Sequence, residues 1–146
     1  MKNQRTPSKA LHITLWIAQG LLAAMFLMAG FMKLTQPLQK LAQMMPWTAQ
    51  VPETLVRFIG LSELLGAVGL VLPSLLRIKP QLTPWAATGI AVIMLLATFF
   101  HISRGETSMI GVNLFIALLA AFIAWGRFKK VPIAAKTKGK DFSKAF

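Results

Sequence analysis

The sequence predicts an all-α integral membrane protein, a bundle of four transmembrane helices. Hydrophobic residues make up 55% of the 146-residue chain and charged residues only 14%, whereas about a quarter of the residues in an ordinary globular domain are charged. The apolar residues also fall into four long runs. Runs of this kind are too long to be buried in one small soluble core, so we expect most of them to face lipid.

The apolar runs define the predicted spans and the organisation of the chain. The spans are residues 11–34, 55–76, 83–102 and 109–126. At a rise of about 1.5 Å per residue, each can cross a hydrocarbon layer of about 30 Å. The first run is too long for a cleaved signal peptide, so we expect it to be retained. Around the membrane domain, residues 11–126, we predict a basic N-terminus, residues 1–10, and a basic, disordered tail, residues 127–146.

The segment between the first two spans has two interpretations. Four of its apolar residues recur at helical spacing: Leu38, Leu41, Met44 and Met45. They indicate a short helix lying in the membrane interface with Trp47 as its anchor. The alternative is a loop with scattered apolar residues, and the sequence leaves both open.

The basic residues predict how the chain crosses the membrane. The net charge is +12, but the cations flank the apolar runs, which is typical of topology signals and not of nucleic-acid binding. The N-terminus, the connection between the second and third spans, and the tail hold twelve of the sixteen Lys and Arg residues. Because positive charge is retained inside, both termini are predicted to be cytoplasmic.

Polar side chains within the spans indicate where a ligand or a proton could be handled. Glu63 lies about 12 Å along the second span, where an unpaired charge is expensive. With alternating helix directions, Lys33, His101 and Asn113 fall in the same outer half of the bundle. One polar group from each helix at similar depth is typical of a buried site between helices. We therefore take these four residues as candidate ligand-binding or proton-relay groups.

Each of the four candidates also has a purely structural interpretation. Lys33 could extend to the lipid headgroups from its position near a helix end, and His101 could be an interfacial histidine. Asn113 could donate one hydrogen bond between helices. Glu63 and Lys33 could form an ion pair that only stabilises the bundle.

Several kinds of chemistry are excluded by composition or by missing motifs. The chain has no cysteine, which removes disulfide exchange, thiolate-ligated metals and iron–sulfur clusters. It has no glycine-rich phosphate loop and no histidine pair at metal-ligand spacing. We therefore expect no catalytic residues and no metal site.

The second span and its surroundings resemble a known family. Residues 58–73 read FIGLSELLGAVGLVLP; residues 29–34 before them read AGFMKL, and His101 is followed by Arg104-Gly105-Glu106. This pattern resembles the DoxX-like family of small bacterial membrane proteins, which implies a four-helix bundle in the bacterial cytoplasmic (inner) membrane. The family's name comes from a subunit of a thiosulfate:quinone oxidoreductase, so the resemblance implies a connection with quinones.

The leading functional hypothesis is an accessory membrane subunit that binds a quinone-like apolar redox molecule between its helices. Glu63 could relay a proton and His101 could hydrogen-bond a quinone carbonyl. Electrons would come from a redox partner subunit, so the chain is not expected to be an enzyme on its own. The alternatives are a small transporter or lipid-binding protein, for which homo-oligomerisation would be needed to form a pathway, and a structural assembly factor.

Overall fold

The computed structural model of the chain describes residues 8–137, and this part contains helices and no strand. Five α-helices follow one another: α1 (Lys9–Thr35), α2 (Leu38–Met44), α3 (Glu53–Leu76), α4 (Leu82–Ser103) and α5 (Thr107–Trp125). A 3₁₀ turn, Pro46–Gln50, links α2 to α3, and a π-helical turn, Gly126–Lys130, continues α5. Four of these helices, α1, α3, α4 and α5 with its continuation, are long and apolar enough to cross a membrane.

The predicted fold class, an all-α membrane bundle, is confirmed. The long helices begin slightly before the predicted spans. The segment between the first two spans forms the short helix α2, so the helical interpretation holds there. Helical structure continues past residue 126, where the tail was predicted to begin, up to Lys130. Residues 1–7 and 138–146 lie outside the described residues, so the disorder expected of residues 138–146 stays a prediction.

The four long helices form a ring around a small-residue core. α1 packs along α3, α4 packs along α5, and α3 joins the two pairs by packing on α4. α1 and α5 close the ring over a shorter contact. The larger buried core residues are Leu22, Phe26, Leu70, Ile90, Met94, Ile116 and Ile123.

Large apolar side chains cover the outside of the bundle. Phe58, Leu96, Phe115 and Leu118 are each more than 60% exposed. Such a surface would be a severe liability in water, since soluble proteins rarely expose large contiguous apolar patches. It is the surface expected of helices whose outer faces contact lipid.

Two glycines allow α1 and α3 to approach each other closely. A Cβ atom on Gly30 would lie 2.7 Å from the carbonyl oxygen of Gly60. A Cβ atom on Gly60 would lie 2.8 Å from the Cβ of Lys33. Since neither distance can accommodate a methyl group, the helix crossing depends on both glycines.

The described charges are unevenly distributed between the two ends of the bundle. We call the end at which α1 begins the basic end; its cations are Lys9, Arg77, Lys79, Arg127, Lys129, Lys130 and Lys136. The other end, the carboxylate end, has Glu53 and Glu106, and Glu63 is bound there by a residue of the last turn of α1. All the carboxylates among residues 8–137 therefore belong to one half of the molecule.

Replacing Gly60 tests the close crossing of α1 and α3. Gly60→Ala should lower the free energy of unfolding by about 1–3 kcal/mol, because the added methyl group overpacks the contact. Gly89→Ala is the matched control: Gly89 is also helical, and an added Cβ there meets no atom within 4 Å. Unfolding in mixed detergent micelles measures both. Equal effects at the two positions would contradict the importance of the crossing.

Candidate functional site

Lys33 and Glu63 form a buried ion pair between α1 and α3. The Nζ of Lys33 donates to both carboxylate oxygens of Glu63 at 2.8 Å. The side chains are only 6% and 11% exposed. The Gly60 contact places the Cβ of Lys33 against α3, so the lysine reaches Glu63 one turn further along that helix. A pair this well matched satisfies two charges that would each be costly alone.

Arg57 fixes the end of α1 that carries Lys33. Its guanidinium donates to the backbone carbonyls of Lys33 and Gln36 and forms an ion pair of 2.8 Å with Glu53. The last carbonyls of a helix have no partners within the helix. Arg57 therefore supplies the missing donors and holds the end of α1 against the start of α3.

A second polar cluster lies where α4 ends and α5 begins. His101, which is 5% exposed, donates from Nδ1 to Glu106 at 2.5 Å. Arg104 donates to the other oxygen of the same carboxylate at 2.7 and 2.9 Å. Gly105, with φ of +70°, makes the tight turn that returns Glu106 to both partners. The hydrogen bonds from Arg104 and His101 lower the pKa of Glu106 below its usual value, so this carboxylate is ionised at neutral pH.

A cleft of about 350 Å³ opens beside this cluster. One wall is the segment Met44–Trp47, and the other is the segment Gly105–Met109, which includes Glu106. The ring of Trp47 meets Phe100 edge to face, with centroids 6.4 Å apart. The cleft thus combines thioether and aromatic surface with one ionised carboxylate. Its volume is within the range of small-molecule sites.

The structure brings together two of the four residues expected to share a site. Lys33 contacts Glu63, whereas His101 is paired with Glu106, a residue to which the sequence analysis assigned no role. Asn113 is buried, and its Nδ2 has no hydrogen-bond partner among residues 8–137. Asn113 is one helical turn from Met109, which lines the cleft, so the two residues lie on the same face of α5.

A third polar cluster, at the basic end, was missed by the sequence analysis. Arg127, only 3% exposed, donates from Nε to Gln19 at 2.6 Å, and Gln19 donates to the carbonyl of Leu70 at 2.6 Å. These bonds join α5, α1 and α3. The guanidinium also lies 5.2 Å from the ring of Trp16 and donates to the carbonyl of Val131. The cluster therefore holds together the end of the bundle at which α1 and α5 make only a short contact.

His12 also belongs to this cluster, and each of its ring nitrogens lies near a hydrogen-bond donor. Its Nδ1 lies 3.1 Å from Arg127, and its Nε2 lies 3.1 Å from the indole N–H of Trp16. A neutral imidazole has only one acceptor nitrogen, so it accepts from one of these donors at a time. One guanidinium nitrogen of Arg127 has no partner in the described part of the chain.

The sequence contained one signal for this cluster. His12, Trp16 and Gln19 are spaced by four and three residues, which places all three on one face of α1. A glutamine near the middle of a span needs a polar partner. Arg127 was interpreted only as a topology signal, because its contact with Gln19 spans almost the whole chain.

Removing Gln19 tests whether this cluster stabilises the bundle. Gln19→Leu should lower the free energy of unfolding by about 2–4 kcal/mol, since it leaves a buried guanidinium and a carbonyl short of partners. Gln39→Leu makes the same chemical change at an exposed position of α2 and should change the free energy of unfolding by no more than about 0.5 kcal/mol. Both are measured by unfolding in mixed micelles. A loss no larger than that of Gln39→Leu would contradict a structural role for Arg127 and Gln19.

Comparison with known proteins gives one match. The model described as the DoxX-like family matches residues 17–123, from the third turn of α1 to near the end of α5. The matched stretch includes Lys33, Glu63, His101 and Glu106, whereas His12, Trp16 and Arg127 fall outside it. No curated protein and no solved structure matches the chain.

Proposed function

This chain belongs to the DoxX-like family of membrane proteins, and from that premise we propose that it is an accessory membrane subunit that binds a quinone-like redox molecule. The proposed site is the cleft at the carboxylate end, between Met44–Trp47 and Gly105–Met109. The proposed location is the bacterial cytoplasmic membrane. The chain would work with a redox partner protein and not as an enzyme on its own.

The observation that supports the proposal is the position of Glu106. It lines the apolar cleft and is at the same time bonded to buried His101 and to Arg104. A quinone needs an aromatic or aliphatic surface for its ring and hydrogen-bonding groups for its two carbonyl oxygens. Trp47 and the methionines supply the first, and the hydroxyl groups of Thr107 and Ser108, which line the same wall as Glu106, can donate to a carbonyl oxygen.

The cluster is also suited to moving protons. Reduction of a quinone to a quinol adds two electrons and two protons, one proton to each carbonyl oxygen. Glu106 lines the cleft and is bonded to buried His101, so this pair can pass a proton between the bundle and the cleft. In this proposal the electrons come from the partner. A chain without cysteine offers no thiolate ligands for an iron–sulfur cluster of its own.

In this proposal Glu63 and Lys33 do not contact the ligand. They form an ion pair with each other where α1 and α3 cross closely, and neither residue lines the cleft. Their role is to align α1 with α3, which in turn positions α2 and the wall that contains Trp47. Asn113, whose Nδ2 has no hydrogen-bond partner in the described part of the chain, would be an additional donor for a ligand that reaches one turn further along α5 than Met109.

A second candidate function is a structural assembly factor. The observation that favours it is the mutual pairing of Lys33 and Glu63, in which both carboxylate oxygens accept from a single ammonium group. Polar groups paired in this way stabilise a bundle without any ligand. Ligand binding at the cleft distinguishes the two functions.

The binding experiment uses Trp47 as the reporter. A variant with Trp16, Trp85 and Trp125 replaced by Phe retains only Trp47, in the cleft. Titration with a short-chain ubiquinone analogue in nanodiscs should quench its fluorescence in a saturable way. Arg104→Gln should weaken binding by about tenfold, because the Glu106 carboxylate in the cleft wall loses the charged hydrogen bonds that hold it in place.

Two controls accompany this titration. Lys40→Gln removes the same charge from an exposed position at the same end and should leave binding unchanged. A variant that retains only Trp85, at the basic end, should show weak quenching that does not saturate. Equal quenching of Trp47 and Trp85 would mean that the analogue only partitions into the bilayer, and the quinone proposal would be wrong.

We also propose that the basic end faces the cytoplasm. The support is the excess of cations at this end, since positive charge is retained on the cytoplasmic side. The cysteine-free sequence allows a direct test with single cysteines at two exposed positions, Gln81→Cys at the basic end and Gln39→Cys at the other. A membrane-impermeant maleimide applied to intact spheroplasts should label only Gln39→Cys. Labelling of Gln81→Cys alone would reverse the orientation.

A further inference from the structure

The basic end carries a group of exposed cations that no described carboxylate balances. Its exposed members are Arg77, Lys79, Lys129, Lys130 and Lys136. The ion pairs among residues 8–137 all lie in the other half of the molecule. None of these cations forms an ion pair within residues 8–137. Their charge is therefore available to an anionic ligand.

A cleft of about 520 Å³ lies at this end of the bundle, and Lys79 is the cation that lines it. One side is formed by the turn between α3 and α4 and the first turn of α4, from Lys79 to Trp85. The other side is the extended segment Ile133–Ala135 that follows the π-helical turn. Lys79 and Gln81 form a polar rim, whereas Leu82, Trp85 and Ile133 form an apolar wall. The cleft is thus polar at the turn and apolar along α4.

The segment that forms the second wall is held at both of its ends. Before it, Val131 is buried and donates to the carbonyl of Gly126 at 2.7 Å, and its own carbonyl accepts from Arg127. After it, the N–H of Lys136 donates to the carbonyl of Arg77 at 3.0 Å. The wall is therefore part of the fold, and its bond to Arg77 ties it to the turn between α3 and α4.

The turn itself has an unfavourable backbone conformation. Arg77 and Lys79 have φ angles of +55° and +47°, in the left-handed region that glycine and asparagine favour. Each long side chain costs about 1–2 kcal/mol in this region. Arg77 is the left-handed residue that ends α3, so the turn is fixed by the end of this helix.

We propose that this cleft binds the headgroup of an anionic phospholipid. The phosphodiester lies at the rim with Lys79 and the neighbouring cations, and an acyl chain runs along Leu82 and Trp85. Trp85 is 63% exposed and meets Phe128 edge to face at 5.3 Å, so an aromatic surface marks the interface level beside the cleft.

The apolar wall favours a lipid over a soluble anion. A free phosphate would use only the cations of the rim and gain nothing from Leu82, Trp85 and Ile133. A lipid uses both surfaces, because its headgroup and its chains meet at the level where α4 enters the hydrocarbon layer. This assignment is independent of the quinone proposal, which concerns the other end of the bundle.

The test measures binding of single lipids to the full-length chain by native mass spectrometry. Phosphatidylglycerol is added to the delipidated protein in detergent, with phosphatidylcholine of the same chain length as the zwitterionic comparison. The expected result is one phosphatidylglycerol bound at least about tenfold more tightly than phosphatidylcholine. Lys79→Gln should weaken the binding of phosphatidylglycerol by about fivefold, which is the contribution of one lysine near an anionic surface.

Matched variants make the result specific to the cleft. Lys40→Gln removes the same charge at the opposite end and should change binding by less than about twofold. Ile133→Asp places a carboxylate in the wall and should abolish the preference for phosphatidylglycerol, with folding confirmed by an unchanged thermal midpoint. Three results would overturn the proposal: equal affinity for the two lipids, equal effects of Lys79→Gln and Lys40→Gln, or full competition by inorganic phosphate.

Discussion

The structure depends on one contact, the crossing of α1 and α3 at Gly30 and Gly60. Without a Cβ on either residue, the two backbones come close enough for Lys33 to reach Glu63 across the interface. An intramembrane carboxylate is costly when alone, and a buried ammonium group equally so. The crossing converts two unfavourable groups into a matched pair, and the pair in turn makes any separation of the two helices expensive.

The carboxylate end is built outward from this crossing. Arg57 binds the carbonyls at the end of α1, so the chain enters α2 from a fixed position and returns through the 3₁₀ turn. Arg104 donates a hydrogen bond to the side chain of Gln50 in that turn, which joins the 3₁₀ turn to the loop between α4 and α5. The cleft that we assign to a quinone-like ligand lies between these two segments. Its shape is therefore a consequence of helix packing some distance away.

The sequence predicted the parts of this arrangement that follow from local rules. The length of the apolar runs identified the four long helices, and the cost of a buried charge indicated that Glu63 needs a partner. The pairing of His101 with Glu106 was not predicted, because it depends on the turn at Gly105. The Arg127–Gln19 contact was missed for another reason: it joins residues near opposite ends of the chain, and only the closed ring of helices brings them together.

The central claim is that Lys33 and Glu63 stabilise the bundle as a pair, and a double-mutant cycle tests it most directly. The variants are Lys33→Met, Glu63→Gln and the two combined, with free energies of unfolding measured in mixed micelles. Each single change should cost about 3–5 kcal/mol, because it leaves one buried charge or polar group unmatched. The double variant should be less destabilised than the sum of the two, with a coupling of at least about 1 kcal/mol. Additive effects would contradict the account.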